Sequence, residues 1–261
     1  DSGELTWVEN ATDNSNDWNV KYDPTTVTLT LSGATIKGGS DVVSIPYGSG
    51  IYAQGSSNQP VTLTIELIGT NTITGNYGIC VDAQQGGTVG TNASLLIQNN
   101  SGDDGSLEVS GSSYGIYVKS GTGDASLTIK NASVDAKTTQ IYSSYAGVCV
   151  QSGASATGSP QLSLAVNGGS LTASGTGSSD GIWFYVGSSQ ATGATTSLTV
   201  SENAIVDARN GGISASGISE TLPTPKPTGE NSSGIVFDGS TGTVYGTVVL
   251  QNDLTIGAGE T

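Results

Sequence analysis

Apolar and polar residues alternate along this chain in short runs, and the runs return in a fixed phase. The clearest run opens on Gly followed by Ile or Val: Gly50-Ile51-Tyr52-Ala53, Gly78-Ile79-Cys80-Val81, Gly115-Ile116-Tyr117-Val118 and Gly147-Val148-Cys149-Val150. Gly181-Ile182-Trp183-Phe184, Gly212-Ile213-Ser214-Ala215 and Gly234-Ile235-Val236-Phe237 continue it. The intervals between them are 28, 37, 32, 34, 31 and 22 residues. Alternation over four to eight residues marks a half-buried strand, and no helical period is sustained anywhere. Intervals this uneven fit coils of one architecture carrying loops of different length.

Two further strand classes keep phase with the first. One is marked by Leu29/Leu31, Leu63/Ile65, Leu95/Ile97, Leu127/Ile129, Leu162/Leu164, Leu198/Val200 and Val248/Leu250. The other follows at Ile36, Ile73, Leu107/Val109, Val134, Leu171, Val206 and Leu254. Three short strands per coil, separated by Gly, Asn and Ser, predict an all-β fold: a right-handed parallel β-helix of about seven three-stranded coils. The hand follows from the general rule for parallel crossovers. A β-sandwich is the competing fold, but its turns recur every 8–12 residues without this three-part phase.

A solenoid exposes its end coils, which need covers. Residues 1–26 are expected to form an N-terminal cap, with Trp7, Trp18 and Tyr22 plugging the open core before the turn at Asp23-Pro24-Thr25-Thr26. Residues 27–261 are expected to form the β-helix, the whole being one domain. Thr221–Pro227 is a Pro-rich excursion that reads as a surface loop.

Composition supports a thin core. Hydrophobic residues make up 34% of the chain, below the ~45–50% of a globular domain, and 39 residues are Gly. Seven basic residues against 22 acidic ones give a formal charge of −15, which opposes nucleic-acid binding. With no His, Ser-His-Asp and Cys-His catalysis are excluded within this chain. No run approaches the ~20 apolar residues of a membrane span. A start at Asp1 without Met is expected of a mature or trimmed, exported chain.

The phrase Tyr22-Asp23…Val27-Thr28-Leu29-Thr30-Leu31, followed by Leu63-Thr64-Ile65-Glu66-Leu67-Ile68-Gly69-Thr70-Asn71-Thr72-Ile73, is similar to bacterial cell-surface β-helix proteins. Some of those form a carbohydrate-binding family related in fold to pectate lyases. The resemblance implies an extracellular or cell-surface location and a polysaccharide or host or cell-surface glycan as partner. Its residues are mostly fold-making, so they speak to architecture more than to activity.

If the aliphatic positions point inward, their neighbours form outward columns. The residue after each Gly-Ile gives Tyr52, Cys80, Tyr117, Cys149, Trp183, Ser214 and Val236. Tyr52, Tyr117 and Trp183, with Tyr185 two residues on, are the candidate sugar-binding rings, because an aromatic face suits the C–H face of a pyranose. The alternative is that these rings pack under loops and stabilise the face. Cys80 and Cys149 fall two coils apart, ~10 Å by strand spacing, beyond disulfide reach, so two free thiols are expected.

The third class gives an outward column of Lys37, Thr74, Glu108, Asp135, Thr172, Asp207 and Thr255. Glu108, Asp135 and Asp207 are candidate Ca²⁺ ligands, with Lys137 or Arg209 as the alternative partners of those carboxylates. Asp103-Asp104 is a second acidic locus without EF-hand spacing. A Thr/Ser array on the remaining face has the regularity of an ice-binding surface, broken by Leu96, Gln161, Glu66 and Lys130. The motifs of β-helical polygalacturonases are absent. Binding of extracellular polysaccharide, assisted by calcium, therefore ranks first. A stalk or adhesin segment without a small ligand ranks next, and a polysaccharide lyase or glycosidase third. A monomer without membrane insertion is expected.

Overall fold

The computed structural model describes residues 18–39, 48–56, 58–83, 90–100, 104–200, 204–208 and 210–216, and the backbone alone of 226–227, 235–238, 241–244 and 248–249. Strand β1 (Val20–Asp23) folds back antiparallel on β2 (Thr28–Ser32). From β2 onward the chain winds as a parallel solenoid. The first coil is completed by β3 (Thr35–Lys37) and β4 (Ile51–Gln54), the second by β5 (Val61–Ile68) and β6 (Thr70–Asp82). The third comprises β7 (Ala93–Asn99) and β8 (Ser106–Lys119), and the fourth β9 (Ala125–Thr138) and β10 (Ala146–Ser152). The fifth comprises β11 (Gln161–Ser174) and β12 (Asp180–Val186), the sixth β13 (Thr195–Val200), β14 (Ile205–Asp207) and β15 (Ile213–Ser216). The long strands β6, β8, β9 and β11 each turn a corner and serve two faces.

Three faces result, and each carries an inward stack. Leu29, Ile65, Ile97, Ile129, Val166 and Val200 are successive partners on the first face. On the second, Ile36, Ile73, Val109, Ala136 and Ala173 align. On the third, Ile51, Ile79, Ile116, Val148, Ile182 and Ile213 align. Together these stacks make one continuous core. The first-face alignment differs by two residues from the simple motif match, since Leu29 meets Ile65 rather than Leu63, and Leu164 meets Leu127. A shift of two keeps every side chain on its own face, so it is invisible to hydrophobic pattern.

Among the described residues the stack has six rungs, spanning about five turns, against the roughly seven coils expected. The seventh signature does not extend the stack. Strand β17 (Ile235–Asp238) runs antiparallel to β14, pairing Val206 with Phe237, and Val236 thus falls opposite Asp207 instead of above Ser214. Its interval of 22 residues is the shortest of the series. Val248, expected in the first-face class, pairs antiparallel with Pro227 in a separate ribbon, and Leu254 and Thr255 lie outside the described residues. An antiparallel strand thus covers one solenoid edge at each end, β1 on β2 and β17 on β14, which blocks further pairing there.

The cap is described from Trp18 onward, and Trp7 lies outside the described residues. Tyr22 packs against the core as expected, whereas Trp18 is exposed, with the Lys21 ammonium 5.8 Å from its ring centre. The turn between β1 and β2 is set by Asp23, whose Oδ1 accepts from the Thr25 N–H at 2.8 Å. It closes on Val27 at φ +53°, a left-handed conformation that a β-branched residue rarely adopts.

The Gly of the repeated signature has a steric cause. A Cβ on Gly115 would lie 2.7 Å from the Gly147 carbonyl oxygen and 2.8 Å from the Lys137 nitrogen. At this corner successive coils bring backbone against backbone, and only Gly fits. One polar residue interrupts the second-face stack. Asn71, fully buried, occupies the position that Leu107, Val134, Leu171 and Val206 fill in later coils. Its Oδ1 accepts from the Ala34 N–H at 2.9 Å, and its Nδ2 donates to the carbonyls of Ile68, Gly69 and Ser106 at 3.2 Å.

Candidate functional site

The outer surface of the third face gathers most of the aromatic side chains among the described residues. Its central column reads Tyr52, Cys80, Tyr117, Cys149, Trp183 and Ser214, matching the expected order up to that point. Large and small residues alternate along it. Strands repeat at ~4.8 Å, so each ring of this column has a small residue on the adjoining rung. Cys80 and Cys149 are those spacers. Both are free and fully buried, with Tyr117 between them. Burial pushes the Cys80 thiol well up, with the Asp82 charge adding to the effect and Lys119 opposing it. Cys149 is raised likewise by burial and then by Asp180. Thiols held protonated in this way serve as packing groups.

A second column joins the first. Tyr77 pairs with Tyr114, followed by Ala146 and Asp180. Tyr114 and Tyr117 stack with centroids 4.8 Å apart, and Tyr77 meets Tyr117 edge-on at 5.3 Å. Tyr145, on the loop between β9 and β10, closes over Tyr114 at 5.7 Å, and the Tyr114 hydroxyl donates to the Ser144 carbonyl at 2.7 Å. The result is a small apolar cluster outside the solenoid core. Burial pushes the hydroxyls of Tyr114 and Tyr117 above the ordinary range. Tyr117, a candidate sugar-binding ring, stands at its expected position but is only 7% exposed. Its faces are taken by other tyrosines and its hydroxyl donates to Gln151 Oε1 at 2.8 Å. It is a packing ring.

The open part of the surface lies beyond it. Trp183 and Tyr185 are half-buried, their centroids 4.8 Å apart and tilted by 32°. The Trp183 Nε1–H donates to Ser216 Oγ at 2.9 Å, which fixes the indole and leaves its ring, rather than its polar edge, for contact. Tyr185 belongs to a third column that is otherwise polar: Gln54, Asp82, Lys119, Gln151, Tyr185 and Ser216. Within it the fully buried Asp82 carboxylate lies 3.9 Å from the Lys119 ammonium. Tyr52, at the other end of the central column, is half-buried.

Tyr77, Tyr114, Tyr145, Asp82, Lys119 and Gln151 were not among the sequence candidates. A signal for two of them exists in the repeated Tyr-Gly-Ile of Tyr77–Ile79 and Tyr114–Ile116. The Tyr precedes the corner Gly, and its placement beside the central column depends on an irregularity in the pairing near Gly75 and Tyr77.

The acidic candidates lie on the second face. Thr72, Glu108, Asp135, Thr172 and Asp207 form one column, so Glu108 and Asp135 are neighbours as expected. Lys37 and Thr74 belong instead to the adjacent column, with Ser110, Lys137 and Ser174. The Lys137 ammonium hydrogen-bonds Glu108 Oε1. That bond raises the Lys137 pKa, with burial opposing and the charges of Glu108 and Asp135 adding. Thr172 separates Asp135 from Asp207. Calcium takes six to eight oxygen ligands, and among the described residues no three carboxylates or thiols converge. With one carboxylate already holding an ammonium, the set does not fit the ion. Arg209 and Asp103 lie outside the described residues.

Compared with protein-family models, curated proteins and solved structures, the chain matches none. The β-helix resemblance of the sequence therefore rests on architecture, which the parallel solenoid shares. Among the described residues no helix is long and apolar enough to cross a membrane.

Proposed function

We propose that this β-solenoid binds an extracellular polysaccharide on the outer surface of its third face, with Trp183 and Tyr185 as the contact rings. One observation carries the reading: two adjoining, half-buried aromatic rings share the outer face with a column of amide and hydroxyl groups and the paired Asp82 and Lys119. Flat apolar rings beside hydrogen-bonding groups suit a sugar chain, which offers C–H faces and hydroxyl edges. The tyrosine cluster against which Trp183 packs keeps the platform rigid, so little ordering is needed when a ligand arrives. Extracellular or cell-surface location and a glycan partner follow from the same reading.

Affinity electrophoresis in gels cast with soluble polysaccharides tests it. The wild-type chain is retarded by at least one polysaccharide, and Trp183→Ala and Tyr185→Ala migrate as in plain gels while keeping the wild-type circular dichroism. Equal retardation of all three proteins overturns the assignment of the site. A stalk or adhesin segment is the second reading, favoured by the ring cluster itself, because Tyr114 and Tyr117 are consumed in packing. Absence of retardation in every gel would leave that account standing.

A further inference from the structure

Resting on that reading, we infer that the ligand is a neutral polysaccharide of pyranose units, and that polyuronates and other polyanionic glycans are rejected. The charge pattern of the third face carries this. Among its described residues Lys119 is the sole cation, and the Asp82 carboxylate beside it, 3.9 Å away, cancels its charge. Asp180 adds a second carboxylate to the same face, one rung beyond Ala146. A ligand carboxylate laid on this surface would meet one ammonium against two carboxylates.

The other cations whose side chains are described lie on other parts of the surface. Lys137 bonds Glu108 on the second face, Lys21 sits over Trp18 in the cap, and Lys130 follows Glu66 and Gln98 on the first face. Lys37 shares the second-face column of Lys137. Among the described residues no basic patch forms, and the whole chain carries −15, so long-range repulsion of polyanions adds to the local deficit. The polar groups of the platform point the same way. The Trp183 N–H and Tyr117 O–H are spent within the protein, on Ser216 and Gln151. What remains for a ligand is ring surface plus neutral amide and hydroxyl groups, a chemistry matched to hydroxyls and C–H faces rather than to carboxylates.

The test uses the full chain on a panel of neutral polysaccharides (mixed-linkage β-glucan, xylan and galactomannan) and polyanionic ones (polygalacturonate and alginate). Retention is measured at low salt and at 0.5 M NaCl, where charge repulsion is screened. At least one neutral polymer is retained, with an affinity that changes little between the two salt conditions. Trp183→Ala weakens it roughly tenfold or more, and the polyanions are not retained at either salt. Retention of polyuronates in preference to every neutral polymer, lost with Trp183→Ala, overturns this inference while the polysaccharide-binding site stands. Retention of nothing overturns both.

Discussion

Replacing Tyr117 with Ala separates a packing ring from a sugar-binding ring, because the two roles predict different readouts. The ring loses its stack on Tyr114 at 4.8 Å and its edge contact with Tyr77 at 5.3 Å, each worth ~0.5–1.5 kcal/mol. Its hydroxyl also donates to Gln151 at 2.8 Å, a bond worth ~0.5–1.5 kcal/mol. The sum, about 1.5–4.5 kcal/mol, overlaps the lower part of the ~3–5 kcal/mol of an aromatic truncation in a closed core. The two thiols flanking Tyr117 supply a local probe. In the wild type, fully buried and with their pKa values raised, they react with Ellman's reagent only through opening of the face. Loss of about 1.5–4.5 kcal/mol from that opening speeds labelling of Cys80 and Cys149 by about one to three orders of magnitude, at ~1.4 kcal/mol per factor of ten. Tyr117→Phe keeps the ring, costs about 1 kcal/mol and leaves the thiols protected. Wild-type thiols that react as fast as those of the unfolded chain would refute this reasoning. So would a Tyr117→Ala protein with wild-type stability and protected thiols.

Three further predictions concern the scaffold. Asn71→Ala leaves the buried Ala34 N–H without its acceptor and opens a void, costing at least ~1–3 kcal/mol in a denaturant titration; wild-type stability would show that the amide bonds contribute nothing. The raised Lys137 pKa means that its bond to Glu108 contributes fully below the unfolded lysine value and is lost as pH rises through the higher folded value. Lys137→Met therefore flattens the alkaline end of the stability profile, by no more than ~1 kcal/mol for a pair this exposed, and an unaltered profile contradicts the pairing. Val27→Asn relieves the left-handed strain at φ +53° and raises the thermal midpoint, by about 1–2 kcal/mol of stability; a lowered midpoint counts against strain at that turn.

The solenoid was legible because its inward positions are chemically uniform. Ile51, Ile79, Ile116, Val148, Ile182 and Ile213 are all aliphatic, and the Gly before each of the first five is imposed by a backbone contact that no other residue permits. The central outward column was legible for the same reason, since a fixed position after that Gly carries register with it. Exposure was not. Whether Tyr117 is open or covered depends on Tyr77, Tyr114 and Tyr145, which reach it from another column and from a loop. The partner of Glu108 was open in the same way, because Lys137 and a cation satisfy the same alternation. The end of the repeat was misread at Gly234-Ile235, where a local motif matches but the chain leaves the solenoid direction. Parallel and antiparallel strands share one period of alternation, so the hydrophobic pattern carries no sign of the change.

The most direct test of the account watches Trp183 itself. With Trp7 and Trp18 replaced by Phe, its indole becomes the sole tryptophan emitter, since the chain has three Trp. Titration with the neutral polysaccharide retained most strongly should shift its emission to the blue and shield it from acrylamide quenching, saturating with the same affinity as retention. Retention that saturates while the emission and quenching of Trp183 stay unchanged would place the ligand elsewhere and contradict the account.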